Sequence, residues 1–289
     1  MDQTLQSARV AVASKAAVRK PLELVLRGHG MLGLAHIGVL RAFVEKGVRI
    51  DHLTAMSLGS VVATLFANGV DSSAIEQMFL NKKARRFMRE AWLGHGKCHQ
   101  YTYGKVQDLL PEARNFVEKN HLKPKATLSL LCFDVVEAQT MTYEGIDYDL
   151  ATALTACCSV AGLMRPIRKG NAVLVDCSLY GCKLETPAGC VTIISDVKLD
   201  GAVPEDGLSP VDRWLDRRSR LIGQESSCES VAGKHSMVIK TTVPNEALVA
   251  YGCSEEAIQR IIDAGYESAL LFLDTFDARQ VEPAVAVET

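Results

Sequence analysis

Leu22-Glu23-Leu24-Val25-Leu26-Arg27-Gly28-His29-Gly30-Met31-Leu32-Gly33-Leu34-Ala35-His36-Ile37-Gly38-Val39-Leu40 decides the fold class of this 289-residue chain. Leu22 to Leu26 is a short apolar run suited to a buried strand. Gly28-x-Gly30-x-x-Gly33 breaks the run with a turn. Leu34, Ile37, Leu40 and Phe43 then recur at helical spacing, and Gly47 supplies a stop. Val48 to Ala55 reads as a second strand, Ser57 follows at once, and Val61 to Ala67 forms an apolar helix closed by Asn68-Gly69. Strand, glycine turn, helix, strand, turn and helix open an α/β fold. The expected architecture is three-layer α/β/α with a mainly parallel central sheet.

Further along, residues from about 72 to 111 read as a polar, helical, cap-like insertion. Within it Lys82, Lys83, Arg85, Arg86 and Arg89 stand beside Phe87, Met88 and Trp92. Such a stretch is ordinarily a solvated helix whose aromatic residues face the core, and a membrane-surface role is the alternative. Thr127 to Val136 is a third strand with Met141 to Tyr143 as its hairpin partner. Leu150 to Ser159 is a short helix, and Ala172 to Asp176 is a strand ending in an acid. Val191 to Ser195 and Ser236 to Thr242 are further strands, Pro204 to Ser227 is charged and helical, and Ser254 caps a long last helix. The expected organisation is one domain over 21–276, a flexible or helical arm over 1–20 and a disordered tail over 277–289.

With 48% hydrophobic and 23% charged residues, the composition is globular, and a formal net charge of −2 argues against nucleic acid as a partner. The nine cysteines are odd in number and several lie in apolar runs, so buried free thiols in a reducing, cytoplasmic setting are expected. No apolar run reaches the roughly 18 residues of a spanning helix, which leaves peripheral contact as the route to a membrane.

Ala55-Met56-Ser57-Leu58-Gly59 approximates G-x-S-x-G, in which a serine sits on a cramped strand-to-helix turn with its hydroxyl above the sheet. Small residues two before and two after the serine let strand and helix approach. The amide of Leu58, at the start of the helix, can stabilise an oxyanion. Equally, Ser57 reads as a plain helix N-cap. The Gly28, Gly30 and Gly33 loop also has two readings. Asp51 lies 18 residues beyond Gly33, near the roughly 20 expected of a ribose-binding acid, so a dinucleotide-binding oxidoreductase is one. A loop whose amides serve an oxyanion beside Ser57 is the other. A serine nucleophile needs a base, and no histidine follows Ser57 in a catalytic setting. Asp176, at a strand end, is a candidate for that base or else a turn-capping acid. His95, Cys98 and His99 are too few for a structural metal set.

Three of these segments in order resemble the patatin-like phospholipases. Leu26 to Leu40 is similar to their glycine-rich oxyanion segment, Thr54-Ala55-Met56-Ser57-Leu58-Gly59-Ser60 to their nucleophile turn, and Val175-Asp176-Cys177-Ser178 to their Asp-containing segment. Ala153 to Pro166 resembles the Ala/Ser-rich stretch between them. The resemblance implies a Ser57–Asp176 dyad without histidine. It places the oxyanion among the amides of Gly28, His29, Gly30 and Leu58. It also implies a lipid or membrane-surface acyl ester as substrate, and neither metal nor organic cofactor. His29, Leu32, Ala55 and Cys177 depart from the family pattern, so a catalytically impaired lipid- or partner-binding relative is the alternative.

Overall fold

The computed structural model describes residues 20–28, 30–82, 125–144, 150–161, 166–180, 182–185, 187, 189–200, 236–244 and 254–276. At the centre of the sheet, β1 (Leu22–Leu26) lies between β2 (His52–Met56) and β7 (Val191–Leu199), parallel to both. All five residues of β1 are buried. A strand covered on both faces has no polar side to show, which is why its sequence does not alternate. Beyond β7 lies β8 (Met237–Val243), again parallel. Past β2 lies β3 (Thr127–Asp134), which pairs with β6 (Ala172–Asp176) beyond the end of β2 and, along its other edge, with β4 (Gln139–Glu144) in a hairpin, while β5 (Ile167–Lys169) pairs with β6. β3 is parallel to β2, but β4 and β6 run antiparallel to β3. The sheet is thus parallel in its middle and antiparallel at the β3 end.

Parallel neighbours need crossovers, and helices supply them. α1 (Ala35–Glu45) joins β1 to β2, and α2 (Leu58–Ala67) and α3 (Ser72–Leu80) follow β2. α4 (Leu150–Cys157) precedes β5, and α5 (Glu255–Thr275) follows β8. One buried cluster joins Leu22, Leu24, Leu26, Leu53 and Leu130 of the sheet to Ile37 and Phe43 of α1, Phe66 of α2 and Ile262 of α5. On the other face Glu23, 1% exposed, accepts hydrogen bonds from the hydroxyls of Thr54 (2.7 Å) and Thr192 (2.9 Å). Two donors satisfy a carboxylate that would otherwise be a costly burial.

Several boundaries differ from the sequence reading. β2 begins at His52 rather than Val48, because the Val48 N–H bonds back to the Phe43 carbonyl that ends α1 (2.9 Å). β7 runs on to Leu199 because its last residues pair with β8 beyond the end of β1. The Ser254 cap is present: its hydroxyl accepts from the Ala257 N–H (3.1 Å), and Glu255 and Glu256 favour the positive end of the helix. The proposed arm before Lys20, the tail, the helix from Pro204 to Ser227, and the basic stretch and His95-Cys98-His99 beyond Lys82 lie outside the described residues. No described helix is long and apolar enough to cross a membrane.

α1 and α5 touch through glycines. A Cβ on Gly38 would overlap the Ile262 carbonyl, and one on Gly265 would overlap the Ala35 carbonyl. Backbone cannot yield as a flexible side chain can. Gly38→Ala or Gly265→Ala is therefore expected to destabilise the fold by about 1–3 kcal/mol, measured by urea unfolding. An unchanged midpoint would contradict this crossing.

Candidate active site

Ser57 stands where β2 turns into α2, with φ 52° and ψ −137°. A non-glycine residue at positive φ is uncommon and carries strain of about 1–3 kcal/mol. Ser57 occupies the N-cap position, yet its side chain makes no capping hydrogen bond. The capping role that would account for a serine here is therefore absent. Ser57 is 5% exposed, and its carbonyl accepts from the Ser60 N–H (2.9 Å) and the Cys158 thiol (3.3 Å).

The position of Asp176 follows from strand pairing. Residues 129–134 of β3 pair with β4 along one edge. A strand has only two edges, so its other partners share the opposite one. There β2 occupies the positions up to Leu131, paired with Met56, and β6 takes over at Cys132, paired with Asp176. β2 and β6 thus run toward each other along a single edge of β3. Ser57 is the first residue after β2, and Asp176 is the last of β6. Sequence reasoning placed Asp176 at the end of a strand in a mainly parallel sheet. It approaches the end of β2 from the opposite direction, because β6 is reversed by its hairpin with β5.

Asp176 is fully buried. Its N–H donates to the Ser159 carbonyl (2.9 Å), and its Oδ1 accepts from the Ser178 N–H (2.8 Å) at a short 3-10 turn over Cys177–Leu179. The exit of α4 therefore holds both candidates, Cys158 through the Ser57 carbonyl and Ser159 through the Asp176 amide. Neither residue was assigned a role from sequence. Burial, and after it the charge of Asp176, pushes the half-buried Cys158 thiol up. The Cys132 thiol is pushed up to about 12 by burial and by Asp134 and Asp176. Only the thiolate is readily alkylated, so neutralising the acid by Asp176→Asn is expected to speed alkylation of Cys158 several-fold at about pH 8. Peptide mapping after iodoacetamide checks this, and an unchanged rate would contradict their proximity.

The glycine loop closes over the same turn. A Cβ on Gly28 would overlap the Ser57 Cβ and stand 2.9 Å from the Met56 carbonyl oxygen and 3.1 Å from Ser57 Oγ. Gly30 has φ 55°, and its carbonyl accepts from the Gly33 N–H (3.0 Å). A Cβ on Gly59 would come 2.8 Å from the Leu26 carbonyl oxygen, so the glycine lets the start of α2 lie close against the end of β1. As the first residue of α2, Leu58 has an amide with no intrahelical carbonyl to meet. His29 lies outside the described residues.

Two expectations need correction. Asp51 precedes β2, at the sheet end remote from the glycine loop, and is held there by the Leu22 N–H (2.9 Å) and Arg49 (3.1 Å). A ribose-binding acid belongs at the carboxyl end of the second strand, so the dinucleotide reading fails. Cys177 and Cys182 are not free thiols; they form a disulfide, with Cα atoms 5.7 Å apart. Cys132, Cys157, Cys158 and Cys190 are free. Among the described residues no three metal-ligating side chains come together.

The chain is 29% identical over 174 residues to an uncharacterised NTE-family protein of Mycobacterium tuberculosis, a match covering 57% of this chain and 27% of that protein. It is 42% identical over 73 residues to lysophospholipase NTE1 of Pyricularia oryzae, covering 25% of this chain and 5% of that one. The chain thus spans only a small part of the curated relatives it matches. VipD of Legionella pneumophila shares the fold, with a TM-score of 0.51 at 13% identity over 89% of this chain and 67% of that one. The family model of patatin-like phospholipases matches residues 24–181, more than half of the chain and all of the region from the glycine loop through Ser57 to Asp176. This chain belongs to the patatin-like phospholipase family.

Proposed function

We propose that the chain is a serine acyl hydrolase of phospholipid or lysophospholipid esters, with Ser57 as nucleophile and Asp176 as base. The observation that supports this reading is the head-to-head approach of β2 and β6 along β3, where Met56, the residue before Ser57, and Asp176 pair with the adjacent residues Leu131 and Cys132. Ser57 Oγ attacks the ester carbonyl and gives its proton to Asp176. The oxyanion is held by amides of the Gly28 to Gly30 loop and by that of Leu58 at the helix start. Collapse expels the alcohol, which takes the proton from Asp176 and leaves an acyl-serine. Water then gives a proton to Asp176 as it attacks the acyl carbon, and the proton returns to Ser57 as the fatty acid leaves. The similarity to a lysophospholipase over part of the chain favours a lysolipid among these esters.

A fluorophosphonate tests the nucleophile directly. Intact mass is expected to rise by one phosphonyl group, mapped to Ser57, with no adduct on Ser57→Ala. Equal labelling of both proteins would overturn the assignment. The second reading is a lipid-binding relative without turnover. It is favoured by the buried Cys177, bonded to Cys182, directly after Asp176, and it predicts no adduct on the native protein.

A further inference from the structure

We propose that His36 is a positioning residue that fixes the oxyanion loop by clamping the carbonyl of Arg27, the residue before Gly28. The inference rests on the acyl-hydrolase reading and adds a residue to it. His36 lies in the first turn of α1 and is fully buried. Its Nδ1 is 3.0 Å from Ser195 Oγ in β7, and its Nε2 makes a short hydrogen bond to the Arg27 carbonyl oxygen. A carbonyl only accepts, so Nε2 carries the hydrogen, and in the neutral ring Nδ1 accepts from the Ser195 hydroxyl. With both ring nitrogens engaged, tautomer and ring orientation are set. The Arg27 N–H in turn donates to the Ser195 carbonyl (3.3 Å). Arg27 is therefore held at both its amide and its carbonyl, by two residues that hold each other.

The next residue is Gly28, whose backbone lies so close to Ser57 that no Cβ fits between them. An amide that must meet a developing oxyanion tolerates little displacement. Releasing the Arg27 carbonyl lets the peptide unit that carries the Gly28 amide rotate. An ionisable ring in a helix otherwise buried through apolar residues is costly unless its partners justify it, and here the partners are the loop and the strand beside it.

Two amide variants separate positioning from packing. In His36→Gln the side-chain amide reaches the Nε2 position and can still donate to Arg27. In His36→Asn it reaches only the Nδ1 position and meets Ser195 alone. Three readouts are compared with wild type: steady-state hydrolysis of a lysophospholipid, thermal unfolding, and hydrogen exchange of peptides spanning Gly28 to Gly33. His36→Asn is expected to lower kcat by about ten- to a hundredfold, with KM within about twofold. It is also expected to raise exchange in the loop. His36→Gln is expected to retain most of kcat and the slow exchange, while both variants unfold at similar temperatures. Ser195→Ala, which keeps the imidazole but removes its anchor, is expected to move the same readouts less far. Equal kcat in the Gln and Asn variants, or losses that follow thermal stability while loop exchange stays unchanged, would overturn the proposal. If wild type hydrolyses nothing, the acyl-hydrolase reading falls. Loop exchange then decides alone, and identical exchange in the two variants would overturn the positioning role.

Discussion

Asp176→Asn is expected to lower kcat for ester hydrolysis by about 10²- to 10⁴-fold while leaving the protein folded. Asparagine has the shape of aspartate, and its amide oxygen can still accept from the Ser178 N–H that Asp176 Oδ1 holds at 2.8 Å. The backbone bond to the Ser159 carbonyl does not involve the side chain. What the substitution removes is the capacity to act as the proposed base toward Ser57. The acid is not expected to touch the acyl chain, so KM should change little, the pattern of an interaction made in the transition state. Urea unfolding of the variant separates lost chemistry from lost structure. Activity within about twofold of wild type would remove Asp176 from the dyad and leave it as a turn cap for Cys177–Leu179.

Gly28→Ala is expected to be the most damaging single-methyl change at the site. The added Cβ would overlap the Ser57 Cβ and come within 2.9 Å of the Met56 carbonyl oxygen. Neither neighbour is a flexible side-chain end, so either the loop or the nucleophile turn must move. On the proposed mechanism, moving the loop would draw its amides from the oxyanion, and moving Ser57 would take its hydroxyl from the proposed base. Hydrolysis is expected to fall by at least about 10²-fold, the scale of losing one oxyanion donor. Stability should fall by about 1–3 kcal/mol as well. Fluorophosphonate labelling, which needs the same oxyanion contacts, should slow in parallel. Near-normal labelling and turnover would mean that the loop does not pack on Ser57 as described.

Local chemistry made the first half of the fold legible. Leu22 to Leu26, the glycine turn, α1, β2 and α2 follow one another with short connections, so periodicity and turn residues suffice to place Ser57. Asp176 was legible as a strand-end acid but not in its route. The direction of β6 depends on its hairpin with β5 and on its sharing one edge of β3 with β2, and nothing within Ala172 to Asp176 encodes either. Asp51 misled for a related reason. Its spacing from Gly33 suited a ribose-binding acid, but β2 starts at His52, so spacing along the chain put it at the wrong end of the strand. Cys177 and Cys182 show the limit of composition, since an odd count of cysteines in apolar runs does not reveal which two meet. His36 left a signal that went unused, an ionisable residue among the buried positions of α1. Its partners, Arg27 just past the end of β1 and Ser195 in the middle of β7, converge only in the folded chain.

The claim that Ser57 is a catalytic nucleophile toward lipid esters is tested most directly by fatty acid release from lysophosphatidylcholine micelles. Wild type and Ser57→Ala are compared at equal concentration, with matched unfolding curves. The account predicts release in proportion to wild-type protein and none above the uncatalysed background from Ser57→Ala. Equal release by the two proteins, or a folded wild type that stays at background, would contradict it.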